Sequence, residues 1–492
     1  MPSPSFPLSI ILLTTYLGAI SNGYISSLVS SLLSNPLFLS PSSPITTSSP
    51  NTTHIGLVLS AHSLGSILAF FPAPLLSERF GRRAAIFSGN VLILCALVGQ
   101  LLGRSLAQFT AMRVLVGCGA MISTVSSAAL IMESVGPRRR AVAGALFNTC
   151  WFLGASVAAW ACYVCMRKTQ GVWSWKGPVA GQMIWAIAQV ALIAWCPESP
   201  RWLLRKGQVE KAREALVRVR GGEGDDVRRE FEDMIQEAEG ERSRHGIGEV
   251  NEWKMLYATP GNRKRLLLSV VIGVSTQWVG NGIVSFYLSP VLQTIGISSP
   301  STQQTINGSL QIYNWLLASM AALFSERAGR RRLFLASTST MLIFMVLVTI
   351  CSAIYSSTHS STAGYSVIVF LFLFLGGYVI GLTPIPILYI NEIWSGQLRT
   401  KGATVFWVSQ AVAVCFNQFV NPVALGRIAW RYYLVYVGVL VGLGLFVWFC
   451  VPETKGLTLD GIRAVFDGER DGNVELVSQE VRREDDVEEV RA

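Results

Sequence analysis

Ser77-Glu78-Arg79-Phe80-Gly81-Arg82-Arg83 and Ser325-Glu326-Arg327-Ala328-Gly329-Arg330-Arg331 differ only at their fourth residue and stand 248 residues apart. Two more pairs repeat in the same order. Glu133 with Arg140 seven residues on is matched, 259 residues later, by Glu392 with Arg399. Pro197-Glu198-Ser199 is matched by Pro452-Glu453-Thr454, 255 residues later. Three ordered pairs at a near-constant separation identify an internal duplication. Both copies of each motif close an apolar run, so the two halves share one orientation.

Around these motifs the chain is apolar. Of 492 residues, 51% are hydrophobic and 14% charged, and the mean hydropathy is +0.44; a soluble chain carries about 25% charged residues. A helix needs about 20 apolar residues to cross about 30 Å of hydrocarbon. Runs of that kind lie at 8–33, 55–76, 84–103, 107–132, 141–164, 178–197, 266–292, 303–324, 333–355, 364–391, 402–423 and 431–451. Backbone groups in lipid must be satisfied internally, so these spans are helices. The fold class expected is all-α: a polytopic membrane protein with twelve transmembrane helices in two parallel-repeat six-helix halves. This excludes a soluble enzyme, a disordered chain, collagen and a disulfide scaffold. The expected divisions are 1–197 (first half), 198–265 (charged linker), 266–452 (second half) and 453–492 (tail). Helices are expected in the linker over 208–220 and 227–238, parted by Gly221–Gly224. The tail beyond Asp467 has the composition of a disordered segment.

Charge sets the orientation. Of the 40 Lys and Arg, 33 follow even-numbered spans or lie in the linker and tail. That side, with both termini, is expected to be cytoplasmic. The first opposite-side loop carries no charge and holds the glycosylation sequon Asn51-Thr52-Thr53. A second sequon at Asn307 lies too near the membrane for use. The N-terminus lacks a basic n-region, so 8–33 reads as a retained helix and not a cleaved signal. The nine Cys read as apolar filler, and Cys162-x-x-Cys165 has no second pair or His cluster to make a metal site.

The repeated Glu/Arg motifs suggest a mechanical role. Arg forks bind carboxylates in bidentate fashion. Glu78, Glu133, Glu326 and Glu392 can pair with Arg82, Arg83, Arg140, Arg330, Arg331 and Arg399 across helix ends. The expectation is that these pairs hold the cytoplasmic side shut and separate when it opens.

Together the motifs resemble those of the sugar porter family of the major facilitator superfamily, most of all its fungal hexose and lactose-permease-type members. Glu78–Arg83 resembles the family's DRxGRR with Glu for Asp. Pro197–Leu203 (PESPRWL) and Pro452–Leu459 (PETKGLTL) match family signatures, and Arg113–Gly119 resembles RxLxGxG. The resemblance implies a major facilitator fold and a sugar carrier. It implies substrate contacts at Asn148, Gln277, Asn281, Asn314 and Gln410. Ile387 stands where relatives carry a platform Trp. The residues support this independently: Asn148, Gln277, Asn281, Asn314, Gln410 and Asn417 are uncharged amides within apolar helices, each able to donate and accept. The competing reading of any one of them is interhelical hydrogen bonding. Trp278, Phe286, Tyr287 and Tyr389 are candidates to cover a sugar face, with packing the plainer reading of each.

Acid is missing where relatives use it. The 30 acidic residues fall in the linker, in the tail from Glu453, or at Glu78, Glu133, Glu326 and Glu392. The family's GYD motif reads Gly23-Tyr24-Ile25 here, while Arg113, the acid's partner, remains as a buried charge. Proton coupling relies on a membrane-embedded acid, so facilitated diffusion of a hexose or disaccharide is expected. His62 is the titratable alternative, and a packed neutral His the plainer reading. A proton symporter, an exporter of another metabolite and a nontransporting nutrient sensor remain open. Four scattered His and no central carboxylate argue against an enzyme. No cofactor, metal or nucleic-acid partner is expected; the partners are a small sugar and the lipid bilayer, and the chain is read as a monomer in the plasma membrane.

Overall fold

The computed structural model describes residues 6–38, 52–244, 249–324, 329–394, 398–455 and 459–467. Asn51, Glu326 and the tail beyond Asp467 lie outside the described residues.

In the first half, α1 (Phe6–Leu32), α2 (Thr52–Phe70), α3 (Pro72–Phe80), α4 (Arg82–Leu102), α5 (Leu106–Ser134), α6 (Pro137–Lys168) and α7 (Trp173–Ile193) form six spans. α2 and α3 are one span, broken at Phe71-Pro72, where proline cannot continue the hydrogen-bond ladder. Between the halves come α8 (Pro200–Arg205), α9 (Val209–Arg220), α10 (Asp225–Arg244) and α11 (Glu249–Ala258). α9 ends on Gly221 at φ 83°, the left-handed cap that glycine takes without strain.

The second half repeats the plan. Its spans are α12 (Pro260–Trp278) with α13 (Asn281–Thr294), α14 (Pro300–Phe324), α15 (Arg330–Thr358), α16 (Ser361–Gly381) with α17 (Ile385–Ile393), α18 (Leu398–Ile428) and α19 (Tyr432–Cys450), followed by α20 (Leu459–Asp467). The α12/α13 break falls on Gly280, at φ 98°, and the α16/α17 break precedes Pro384 and Pro386. Nine stretches of the described residues are long and apolar enough to cross a membrane, and one of them, Lys401–Cys450, contains both α18 and α19. α7 and α14 are outside that set; α14 carries five amides. α12 begins at Pro260 and not at 266, because Thr259 caps it by accepting from the Asn262 N–H at 3.1 Å.

The helices pack within each half and then across. α4 lies on α5 and α7, and α1 on α6; in the second half α15 lies on α16 and α19, and α12 on α18. Between halves, α6 packs on α14, α2 on α18 and α1 on α13. Ser77–Arg83 and Gly329–Arg331 sit at one end, here the basic end; the opposite is the far end.

Candidate functional site

Two near-identical ionic latches stand at the basic end. Arg82 donates to both oxygens of Glu133, at 2.9 and 2.8 Å. Arg330 donates twice to Glu392, at 3.0 and 2.8 Å. Each carboxylate also accepts from a hydroxyl, Ser199 on Glu133 and Thr454 on Glu392. Glu198 and Glu453 complete the symmetry. The backbone N–H groups of Arg82 and Arg83 donate to Glu198 at 3.1 and 3.2 Å, and those of Arg330 and Arg331 to Glu453 at 2.8 and 3.2 Å. The motif glycines make room for these carboxylates: a Cβ on Gly81 or Gly329 would stand 2.5 Å from a carboxylate oxygen. Both carboxylates cap helix N-termini, where the dipole favours negative charge.

The latches join helices of the same half, not opposite halves. Within the set expected to pair, Arg82 meets Glu133 and Arg330 meets Glu392. Arg83 and Arg331 instead donate to carbonyls at the ends of α7 and α19. Glu78 is exposed, and its carbonyl accepts from the Trp202 indole at 2.8 Å. Arg399 donates to the Trp394 carbonyl at 3.2 Å, and Arg140 lies in the first turn of α6.

The two capping carboxylates differ. Burial pushes the Glu198 carboxyl up, against the pull of its backbone donors. At Glu453 burial acts the same way, but four N–H donors (Lys455, Arg330, Thr454, Arg331) together hold it below the usual range. A lowered carboxyl contributes stability that is present above its unfolded pKa and lost as pH falls; a raised one makes the fold more stable as pH falls through it. Glu453→Gln is therefore expected to lower the unfolding temperature at neutral pH more than Glu198→Gln. Thermal unfolding of the two variants in detergent at pH 7 and pH 5 checks this, the gap narrowing at the lower pH.

Deeper in the membrane, Gln410, Asn417 and Asn281 gather around the α12/α13 break. Gln410 donates to the Thr276 hydroxyl at 3.0 Å. The Tyr378 hydroxyl donates to the Thr276 carbonyl at 3.0 Å and stands beside Asn281. Asn417 donates to the Gln277 carbonyl at 2.8 Å and accepts from Tyr436 at 3.3 Å. A helix break leaves carbonyls without intrahelical partners, and Asn417 supplies one. Asn314 is 1% exposed, yet its carbonyl oxygen has no partner; the same holds for the carbonyl oxygens of Asn281 and Gln311. Trp278 leans on Phe416 with ring centroids 5.4 Å apart, both rings partly open. Tyr389 is fully buried on Phe334 at the basic end, so it packs and covers no cavity.

Asn148 lies across the boundary, on α6. It is exposed, whereas Phe152, one turn farther on the same face, is buried with Ala318 and Val379 of the other half. The two halves thus meet here through apolar contact, and one turn nearer the basic end the Ser319 and Thr149 hydroxyls stand 3.5 Å apart across the same seam. The far end is shut by neutral hydrogen bonds: Gln304 donates to Ser31 and Ser34, Asn307 donates to Ser31 at 3.1 Å, and Ser63 donates to Gln418 at 2.5 Å. Sequence reasoning gave none of these residues a role. The signal existed: Gln304, Asn307, Gln311 and Asn314 are spaced 3, 4 and 3 apart, one face of a helix. Asn307, read as a sequon, is buried in that seal.

Arg113 is 1% exposed and donates to the Ile25 carbonyl at 3.2 Å, while its Nε and Nη2 have no partner. His62 is buried on the neighbouring α2, and its Nδ1 is likewise unpartnered. All nine cysteines are free.

The twelve-helix duplicated bundle is the fold of the major facilitator class. Residues 11–466 match the family described as "Sugar (and other) transporter", and the chain belongs to it. Among curated relatives, it is 27% identical over 425 residues to "MFS-type transporter oryC" of Aspergillus oryzae, covering 83% of this chain and 76% of the relative. It is 24% identical to the "Arabinose-proton symporter" of Bacillus subtilis, covering 84% and 86%. It is 28% identical to "Solute carrier family 2, facilitated glucose transporter member 2" of Rattus norvegicus, covering 83% and 77%. Among solved structures, the inward open xylose transporter XylE from E. coli superposes with a TM-score of 0.76 at 21% identity, over 93% of this chain and 100% of that one. The XylE symporter bound to 6-bromo-6-deoxy-D-glucose gives 0.74 at 21% identity, over 93% and 99%.

Proposed function

We propose that this protein is a sugar carrier working by alternating access, with a neutral hexose or disaccharide held by amides and moved without proton coupling. It is read as a monomer of the plasma membrane with both termini cytoplasmic, and not as an enzyme. What supports this reading is the set of uncharged, buried amides in the second half, among which Asn281, Gln311 and Asn314 keep carbonyl acceptors without partners. Buried polar groups are rarely left unsatisfied, and a polyol supplies hydroxyl donors for all three. Purified protein in liposomes should equilibrate labelled hexose or disaccharide; no flux across a broad panel of sugars would reject the reading.

The absence of coupling rests on Arg113. The carbonyl of Ile25 is its hydrogen-bond acceptor, at the position where an acid would titrate. Uptake into sealed vesicles is expected to be unchanged by a protonophore under an imposed pH gradient. Ile25→Asp is expected to place a carboxylate against the unpartnered Arg113 nitrogens and make uptake pH-dependent. A second reading, proton-coupled uptake, takes its support from the Bacillus relative's name. Protonophore collapse of wild-type uptake would select it.

A further inference from the structure

We propose that the membrane face between α15 and α19 binds one anionic phospholipid, its acyl chain in a groove and its headgroup on the arginines at the basic end. A cavity of about 210 Å³ lies there, lined by Thr338, Leu342, Leu440, Val441, Gly444 and Leu445. Thr338 is 2% exposed, and its hydroxyl, within this lining, has no partner.

The duplication explains why the groove exists. By the motif offsets of 248 and 255, Thr338 corresponds to Asn90 and Gly444 to Gln189. In the first half those two side chains meet: Asn90 donates to Gln189 at 2.9 Å, and both bond Ser123. Gln189 also donates to the Thr14 carbonyl at 3.1 Å. In the second half the same place holds a hydroxyl and a glycine, and it stays open. Gly444 has only ordinary space around it, with the Thr338 methyl 3.7 Å from where a Cβ would stand.

The headgroup end is equally specific. Arg331, Leu335, Thr338 and Leu342 lie on one face of α15 by their spacing of 3 and 4. Gly444 and Trp448 lie on one face of α19. The Arg331 guanidinium sits 5.7 Å from the Trp448 ring centroid and donates to its carbonyl at 2.5 Å, closing the basic end of the groove. Its Nε has no partner, and Arg332 beside it is exposed. Glu453, the nearby acid, is engaged by the backbone N–H groups of Arg330 and Arg331. From Arg331 to Leu342 is about 16 Å along the helix, the depth of one leaflet of a roughly 30 Å core. Apolar walls of that depth, a tryptophan at the rim and a surplus of guanidinium describe a phospholipid of negative charge.

The test uses the full chain in detergent, with equimolar phosphatidylserine and phosphatidylcholine followed by native mass spectrometry. A phosphatidylserine carrying a diazirine on its acyl chain locates the site. One phosphatidylserine should be retained about fivefold over phosphatidylcholine, with crosslinks on the segment 440–445. Gly444→Leu should abolish those crosslinks. Arg332→Gln should bring the two lipids towards equal retention while the acyl crosslink persists. Should Gly444→Leu fail to fold, the pair Thr338→Asn with Gly444→Gln reproduces the first half's own packing and should close the groove equally. Equal retention of the two lipids by the wild type, crosslinks that survive the filled groove, or displacement of phosphatidylserine from 440–445 by a sterol would each overturn the proposal. None of these readouts depends on sugar transport.

Discussion

Glu133→Ala should destabilise the first half by about 3–5 kcal/mol, because it strands a buried guanidinium. Arg82 is 4% exposed and Glu133 13%, and the alanine variant also takes away the acceptor of the Ser199 hydroxyl proton, leaving that oxygen its bond from the Trp202 N–H. The equivalent Glu392→Ala should cost less. Arg330 is 16% exposed and Glu392 27%, so water can reach the orphaned charge. Thermal unfolding in detergent checks the order, and an equal loss for both variants would show that burial does not govern the latches. Adding Arg82→Leu to Glu133→Ala should recover part of the stability, since the unpaired charge leaves with it.

The second large effect is expected at Asn417. Asn417→Leu removes the donor to the Gln277 carbonyl and the weaker of two amide acceptors for Tyr436. The Gln277 carbonyl left unpaired, at about 1–3 kcal/mol, should lower sugar uptake in liposomes by about tenfold, while Tyr436 keeps Asn421 as its acceptor at 2.8 Å. Asn417→Gln keeps the chemistry at a longer reach and should retain more activity than leucine. Uptake by Asn417→Leu equal to wild type would remove this residue from the carrier mechanism.

Much of this architecture was legible in the sequence because duplication and hydropathy are both one-dimensional signals. The motif offsets located the latches, and the linker helices ended where Gly221 permits a left-handed cap. What was missed depends on three dimensions. Glu198 and Glu453 were visible as motif letters, but only the close approach at Gly81 and Gly329 reveals them as caps for Arg82–Arg83 and Arg330–Arg331. Arg265 was assigned to the linker and Asp467 to the edge of the tail, yet they form a bidentate pair at 2.9 Å that ties α20 to α12. On α14, Asn314 was read as a contact and Asn307 as a sequon, while Gln304 and Gln311 were not read, so their shared face went unnoticed. The breaks at Gly280 and Pro384 were also unmarked, since an unbroken apolar run looks the same whether the helix inside it is continuous or bent.

The joint between Ser31, Ser34, Gln304 and Asn307 has a thermodynamic corollary. Every group in it is neutral, so water entering the gap can replace each bond with one of similar strength. Parting it strands no ion in hydrocarbon, and no proton need be taken up or released. The barrier at this end is then set by the apolar area that separates around it, and should respond to temperature and membrane composition while remaining indifferent to acidity and salt.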